Sequence, residues 1–272
     1  MQDSTRACIV TAYAPNTSHG VYSSGSPYKL GQRRLLESLN LHGFRHKVLA
    51  FSDFPNDEFD KSNPYNIKAS AMFEARKKGF DVLLWLDCSV WAIKPLEPLF
   101  DYISEHGWYF HSNGFDLGQT MDDRALAYFE IDREEAFNMP DLSSSMFGLH
   151  LGNPKGEHTL IDWLQSAKDG LWGSSRQHNG GSSHPRFRFD RQDQSCLTAL
   201  MHKRKMDMLP RGYFSNIAKD NANLNGHDEP IIEEVKTIVR MLPEGKAREK
   251  GIALLNSLNG YSETCSLIMR GM

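Results

Sequence analysis

One short stretch, Val82-Leu83-Leu84-Trp85-Leu86, closed by Asp87-Cys88-Ser89-Val90-Trp91, constrains this chain more than any other. The apolar run has the length of one strand and is far too short to span a bilayer. Such uninterrupted runs are the mark of a strand covered on both faces, as in a parallel sheet packed between helices. Asp87 then emerges at the strand's carboxyl end, where open α/β sheets bind their ligands. A carboxylate placed there can hold a divalent cation that neutralises a diphosphate. It can equally cap the following turn, since Asp before Ser, with Pro95 beyond, suits a loop. The residues alone leave both readings open.

The flanking pattern supports the sheet. Ala7 to Tyr13 reads as a first strand, followed by a polar loop from Ala14 to Pro27. Tyr28 to His42 carries Leu30, Leu35, Leu36 and Leu39 at helical spacing, and Gly43 stops it. Lys47 to Phe51 is a second strand, and Pro64 to Lys78 a second helix with Ile67, Ala71, Met72 and Ala75 on one face. This βαβαβ alternation implies parallel strands joined by right-handed crossovers. Further on we expect a short helix through Ile103, a strand at Trp108–Phe110, a helix over Asp122–Phe137, a strand at Ser145–Leu151, and helices at Lys155–Asp169 and Gln192–Lys203. Gly170 to Arg188 has the Gly, Ser, His and Arg content of a loop. It suits either a lid or a solvated basic segment. Within it Trp172 is the one tryptophan read as available to stack on a ligand, whereas Trp85, Trp91 and Trp163 are read as core.

A length of 272 residues accommodates one large domain with an appendage. We expect an α/β domain over residues 1–229 and a helical extension over 230–272. The net charge of −3 offers no global field for nucleic acid or membrane. No run approaches the ~20 apolar residues of a membrane span. The start, Met1-Gln2-Asp3-Ser4-Thr5-Arg6, has no apolar core of a signal peptide, so the expectation is a cytoplasmic protein. Cys8, Cys88, Cys196 and Cys265 are scattered with no Cys-x-x-Cys pair, which argues against a disulfide framework or structural zinc and for small buried filler.

Four motifs in order carry a resemblance. Trp85-Leu86-Asp87-Cys88-Ser89-Val90-Trp91 with Lys94-Pro95-Leu96-Glu97-Pro98-Leu99-Phe100 resembles the metal-binding strand end of GT-A-type glycosyltransferases. Asn63-Pro64-Tyr65-Asn66-Ile67-Lys68 resembles the opening of their preceding helix. Met146 to Pro154 resembles their acceptor-side strand, and Phe189-Asp190-Arg191-Gln192-Asp193-Gln194-Ser195 their Asp-Gln helix start. The resemblance spans about residues 7 to 227. It implies a GT-A-like, Rossmann-like, mostly parallel twisted sheet flanked by helices, and transfer of a sugar from a nucleotide-diphospho-sugar to an acceptor hydroxyl.

The resemblance also implies roles. Thr11, Ala12 and Tyr13 at the end of the first strand would grip the nucleotide, with Tyr13 offering a stacking face; a packed loop aromatic is the other reading of Tyr13. Lys68 would reach a phosphate, and Arg191 a phosphate or Asp190. Asp193, with Gln194 beside it, would act as catalytic base or stabilise charge at the anomeric carbon. Its bland reading is a helix N-terminal acid. Mn²⁺ or Mg²⁺ would be held by Asp87, Ser89 and His227. Ser89 stands where the family has a second acid, so a hydroxyl without charge replaces a carboxylate and metal affinity is expected to be lower. The acceptor is open among a glycan, a protein and a modified DNA base. Two competing functions share this pattern, a degenerate nucleotide- or glycan-binding scaffold and a nucleotidyltransferase. Against the latter, no Gly-rich Arg/Lys loop follows the first strand.

Overall fold

The computed structural model describes residues 6–14, 27–173, 181–210 and 218–220, together with positions 245 and 249. The chain begins with β1 (Ala7–Ala12), α1 (Pro27–Leu41), β2 (Lys47–Phe51), α2 (Asn66–Lys77) and β3 (Val82–Leu86). β1 pairs in parallel with both β2 and β3. β4 (Val90–Ala92), α3 (Glu97–His106) and β5 (Trp108–Tyr109) follow, and after several short elements β8 (Met146–His150) returns to the sheet. The sheet order is β2-β1-β3-β8-β5. β8 runs antiparallel to both neighbours, β3 and β5, so it is the one reversed strand of the five. The mostly parallel α/β architecture expected from the sequence is what the structure has.

Every residue of β3 is buried, and the pleat divides them. Leu83 and Trp85 join one core with Met72 of α2, Phe147 of β8 and Trp163 of α7 (Pro154–Lys168). Val82, Leu84 and Leu86 join the other with Leu35 and Leu39 of α1 and Leu99 and Ile103 of α3. Period-two alternation thus places apolar residues on both faces, and helices cover both. Each such side chain contributes about 1.5–3 kcal/mol relative to exposure, which explains why the run is unbroken.

One expectation is corrected. The segment Asp122–Phe137 is two short helices, α5 (Asp123–Tyr128) and α6 (Arg133–Ala136), not one. Glu130 sits at φ 55, and the Asp132 carboxylate accepts from the backbone N–H of Glu134 and Glu135, so a new helix is capped where the first should have continued. The stretch after Trp108–Tyr109 also contains β6 (Ser112–Asp116), which pairs antiparallel with β7 (Pro140–Leu142) across an excursion that holds α4 (Leu117–Thr120), α5 and α6. The last helix described in full is α8 (Gln192–Lys203), and β9 (Ala218–Asp220) pairs with β4. The extension expected over 230–272, and with it the domain division, lies outside the described residues apart from positions 245 and 249.

Candidate active site at the carboxyl ends of β1 and β3

After β1 the chain turns to β2 on one side; after β3 it leaves by β4 and α3 for β5 at the opposite edge. The loops leaving the carboxyl ends of β1 and β3 therefore diverge, and a crevice at such a switch point is where open α/β sheets take ligands. Tyr13 and Asp87 are the first residues after β1 and β3.

The Asp87 turn is tightly fixed. The N–H of Asp87 donates to the Ser145 carbonyl at 2.8 Å, and the N–H of Val90 to the Asp87 carbonyl at 2.9 Å. Arg34 of α1 donates to the Ser89 carbonyl and lays its guanidinium 4.2 Å from the centre of the Trp91 ring. α1 comes so close that a Cβ on Gly31 would stand 2.4 Å from the Cys88 carbonyl oxygen, so glycine is required there. The Cys88 thiol donates to the Ala12 carbonyl at 3.1 Å and lies 3.6 Å from the Thr11 hydroxyl. Burial pushes that thiol up to about 12, as suits inert filler. Cys8 and Cys196 are buried as well, and Cys265 lies outside the described residues. Thr11 is fully buried and Ala12 nearly so, which leaves half-buried Tyr13 as the most exposed of the three.

The structure brings three of the expected site residues together. Lys68, in the first turn of α2, places its ammonium 2.8 Å from Oδ2 of Asp193 and 3.2 Å from Oδ1 of Asp87. It also donates to the carbonyl and the hydroxyl of Ser144, both at 3.1 Å. Ser144 in turn donates its hydroxyl to Oδ2 of Asp193 at 2.9 Å. The indole N–H of Trp85 donates to Oδ1 of Asp87 at 2.6 Å, on the same pleat face two residues earlier. The side chains of Lys68 and Asp193 are only 10% and 7% exposed, whereas Asp87 keeps 33%. The more exposed of the two acids is therefore Asp87. Burial alone would depress Lys68, yet Asp193 and then Asp87 hold its pKa above the ordinary lysine value.

Gln194 extends into a second buried layer. Its amide donates to Asp141 at 2.7 Å and its oxygen accepts from the Ser144 N–H at 3.3 Å. Asp141, wholly buried, also receives Asn113 at 2.7 Å and Thr198 at 2.5 Å. Burial pushes its carboxyl above the usual range, against the pull of Thr198 and Asn113. This layer anchors Ser144, and Ser144 anchors Asp193. Trp163 adds its indole N–H to the Asp193 carbonyl at 2.8 Å. Arg191 is exposed and stacks over Phe189, 4.8 Å from the ring centre.

Sequence reasoning missed Ser144, Asp141 and the N–H of Trp85. Only Trp85 carried a usable signal, its position two residues before the acid on a strand. Trp172, expected to be open to a ligand, is core: it is 1% exposed, packs 4.6 Å from Trp163, and donates to Ser166 at 3.0 Å. His227, expected as a metal ligand, lies outside the described residues, and among those described no group of three His, Cys, Asp or Glu side chains could hold a metal ion.

No family model and no curated protein matches the sequence. Among solved structures the chain is similar to a glycosyltransferase involved in glycosylation of the major capsid of PBCV-1, with 12% identity, 69% of this chain and 82% of that one covered, and a TM-score of 0.38. It is similar to mouse xyloside xylosyltransferase 1, with 14% identity, 75% and 84% covered, and a TM-score of 0.40. It is also similar to the glycosyltransferase GlyE of Streptococcus pneumoniae TIGR4, with 11% identity, 96% and 64% covered, and a TM-score of 0.42. All three of these solved structures are of glycosyltransferases.

Proposed function

We propose that this protein transfers a glycosyl group from a nucleotide-diphospho-sugar to an acceptor hydroxyl. The observation that carries the reading is the Asp87–Lys68–Asp193 cluster on the floor of the switch-point crevice. Glycosyl transfer needs a seat for the nucleotide, control of charge around the departing diphosphate, and a carboxylate near the reacting carbon. Tyr13 at the lip of β1 supplies a face for the base, Asp87 the polar floor, and Asp193 the carboxylate. Lys68 and Ser144 both grip Oδ2 of Asp193, so Oδ1 is the oxygen left to take the acceptor proton or to oppose developing positive charge. Arg191, exposed and stacked on Phe189, would meet an anionic group of the donor. The acceptor classes that fit are a glycan, a protein or a modified DNA base. The deep burial of Asp193 favours one alternative, a non-catalytic nucleotide- or glycan-binding scaffold.

A thermal-shift panel of UDP-, GDP-, CMP-, ADP- and dTDP-sugars separates the two from each other and from no donor at all. At about 100 times its Kd a ligand stabilises the folded state by about 2.7 kcal/mol. We expect one nucleotide class to shift the protein and to be turned over. Asp193→Asn should keep the shift and lose turnover. Retained turnover in that variant would remove the catalytic role, and a shift without turnover in the parent would establish the scaffold.

A further inference from the structure

The donor set at Asp87 does not fit a resident divalent cation. Oδ1 of Asp87 already receives two donors, the Trp85 indole at 2.6 Å and the Lys68 ammonium at 3.2 Å. Ser89 brings no charge, and its carbonyl is engaged by the Arg34 guanidinium. The short turn that would hold the ion thus has a lysine on one residue and an arginine on another. A divalent ion arriving there would meet two fixed positive charges in surroundings where little water screens them. The ligands such ions prefer are carboxylate oxygens not already committed to cations.

We infer that Lys68 is the built-in cation of this site: its ammonium, held between Asp87 and Asp193, takes the place of a divalent metal, and donor binding needs no metal ion. A nucleotide diphosphate brought against two bare carboxylates would be repelled. With Lys68 between the acids and Arg34 behind the turn, two cations balance two anions and the floor becomes close to neutral. The lysine is suited to hold this place permanently. Its three N–H groups face four oxygens, those of Asp87, Asp193 and both oxygens of Ser144, and its stem is buried in the first turns of α2. It differs from a bound metal in that it neutralises the acids without bridging them to phosphate oxygens. The phosphates must then be met from the open side of the crevice. The statement about donor binding rests on the glycosyl-transfer reading; the statement about the cation does not.

The test uses the full chain and Mn²⁺ alone, whose free-ion electron paramagnetic resonance signal disappears on binding. The parent protein should leave that signal undiminished through the micromolar range. Lys68→Met should gain Mn²⁺ affinity by at least about tenfold, because a like charge has been removed beside the carboxylates. Adding Asp87→Asn should abolish the gain, and Lys68→Arg should behave as the parent. Micromolar Mn²⁺ uptake by the parent, lost in Asp87→Asn, overturns the inference, and this arm needs no variant with altered charge at Lys68 to fold. In parallel, the nucleotide-sugar shift is repeated in EDTA and in Mn²⁺. A shift unchanged by EDTA supports the inference, and one abolished by EDTA overturns it. Silence of every nucleotide sugar would count against glycosyl transfer, while the Mn²⁺ titration would still decide the role of Lys68.

Discussion

Lys68→Met isolates what the ammonium does for the fold. Methionine keeps most of the lysine stem's volume, so the loss is one of charge and hydrogen bonds. Breaking a buried ion pair by removing one partner costs about 3–5 kcal/mol, because the other charge is left uncompensated. The two acids are not equal here. Asp87, with a third of its side chain exposed, can turn to water, and its share is closer to the ~0–1 kcal/mol of a surface pair. Asp193, at 7% exposure, cannot, so the cost falls mainly on it. In a chain of this size that corresponds to a fall in melting temperature of roughly 10 °C. The assay is urea unfolding of the parent, Lys68→Met, Asp193→Asn and the double variant. The cycle should give a coupling of at least about 2 kcal/mol, since the residues touch. The sign of the pH dependence is also fixed. Lys68 titrates above its unfolded value of 10.5, so its contribution is whole below that value and lost only as pH rises through the higher folded one. The deficit of the variant should accordingly be flat over roughly pH 6 to 9. A coupling below about 0.5 kcal/mol would show that the cluster is only a geometric coincidence.

Two further outcomes follow from the same neighbourhood. Burial, with the charge of Asp122, raises Asp190 to about 7; an acid raised in this way supports the fold fully below its unfolded pKa and loses that support as pH climbs through about 7. Asp190→Asn should remove this fall, worth as much as about 4 kcal/mol between acid and neutral solution at ~1.4 kcal/mol per unit, and an unchanged slope of urea midpoint against pH would refute it. Trp85→Phe keeps a ring in the core but deletes the N–H on Asp87; a hydrogen bond to a charged group is worth about 1.5–3 kcal/mol when buried, so on the proposed reading kcat/KM should fall by roughly tenfold or more, and an unchanged value would show that Asp87 needs no such orientation.

What could be read from the sequence was whatever one element encodes by itself. The β3 run announced its position because both faces of a central strand must be apolar, and Asp87 was conspicuous for ending it. Asp193 and Lys68 were each picked from motifs on separate helices, but their meeting through Asp87 was not readable. It depends on α2 and α8 converging over the end of β3. Ser144 gave no sign because a Ser-Ser-Ser run reads as loop, and its role arises from where the β7–β8 connection passes. Trp172 was misread for a related reason. Gly170, at φ 70, lets the chain fold back so that Leu171 donates to Ser166 at 3.0 Å, and the next residue re-enters the core. The break between α5 and α6 was hidden by composition, since the residues on both sides of Asp132 are acceptable in a helix.

The bland account of Asp193, an acid placed to suit the helix dipole, can be weighed by magnitude. That interaction gives about 0.3–1 kcal/mol at a helix N-terminus. The preceding residue, Gln192, opens α8 at φ 39, in a region non-glycine residues avoid, at a cost of order 1–3 kcal/mol. A dipole contribution alone does not offset this. The strained start is instead pinned from several sides. Arg191 donates its N–H to the Thr120 carbonyl at 2.8 Å, Ser195 its hydroxyl to the same carbonyl at 2.5 Å, and Gln192 its N–H to Asp190 at 3.3 Å. Trp163 holds the Asp193 carbonyl, and Lys68 and Ser144 hold its carboxylate. Buried ion pairs are poor net stabilisers beside apolar residues of the same volume, so stability by itself offers little reason to spend strain and desolvation on this one side chain. On the proposed reading, a carboxylate fixed this firmly, with Lys68 and Ser144 on one oxygen, is suited to act at a reacting carbon.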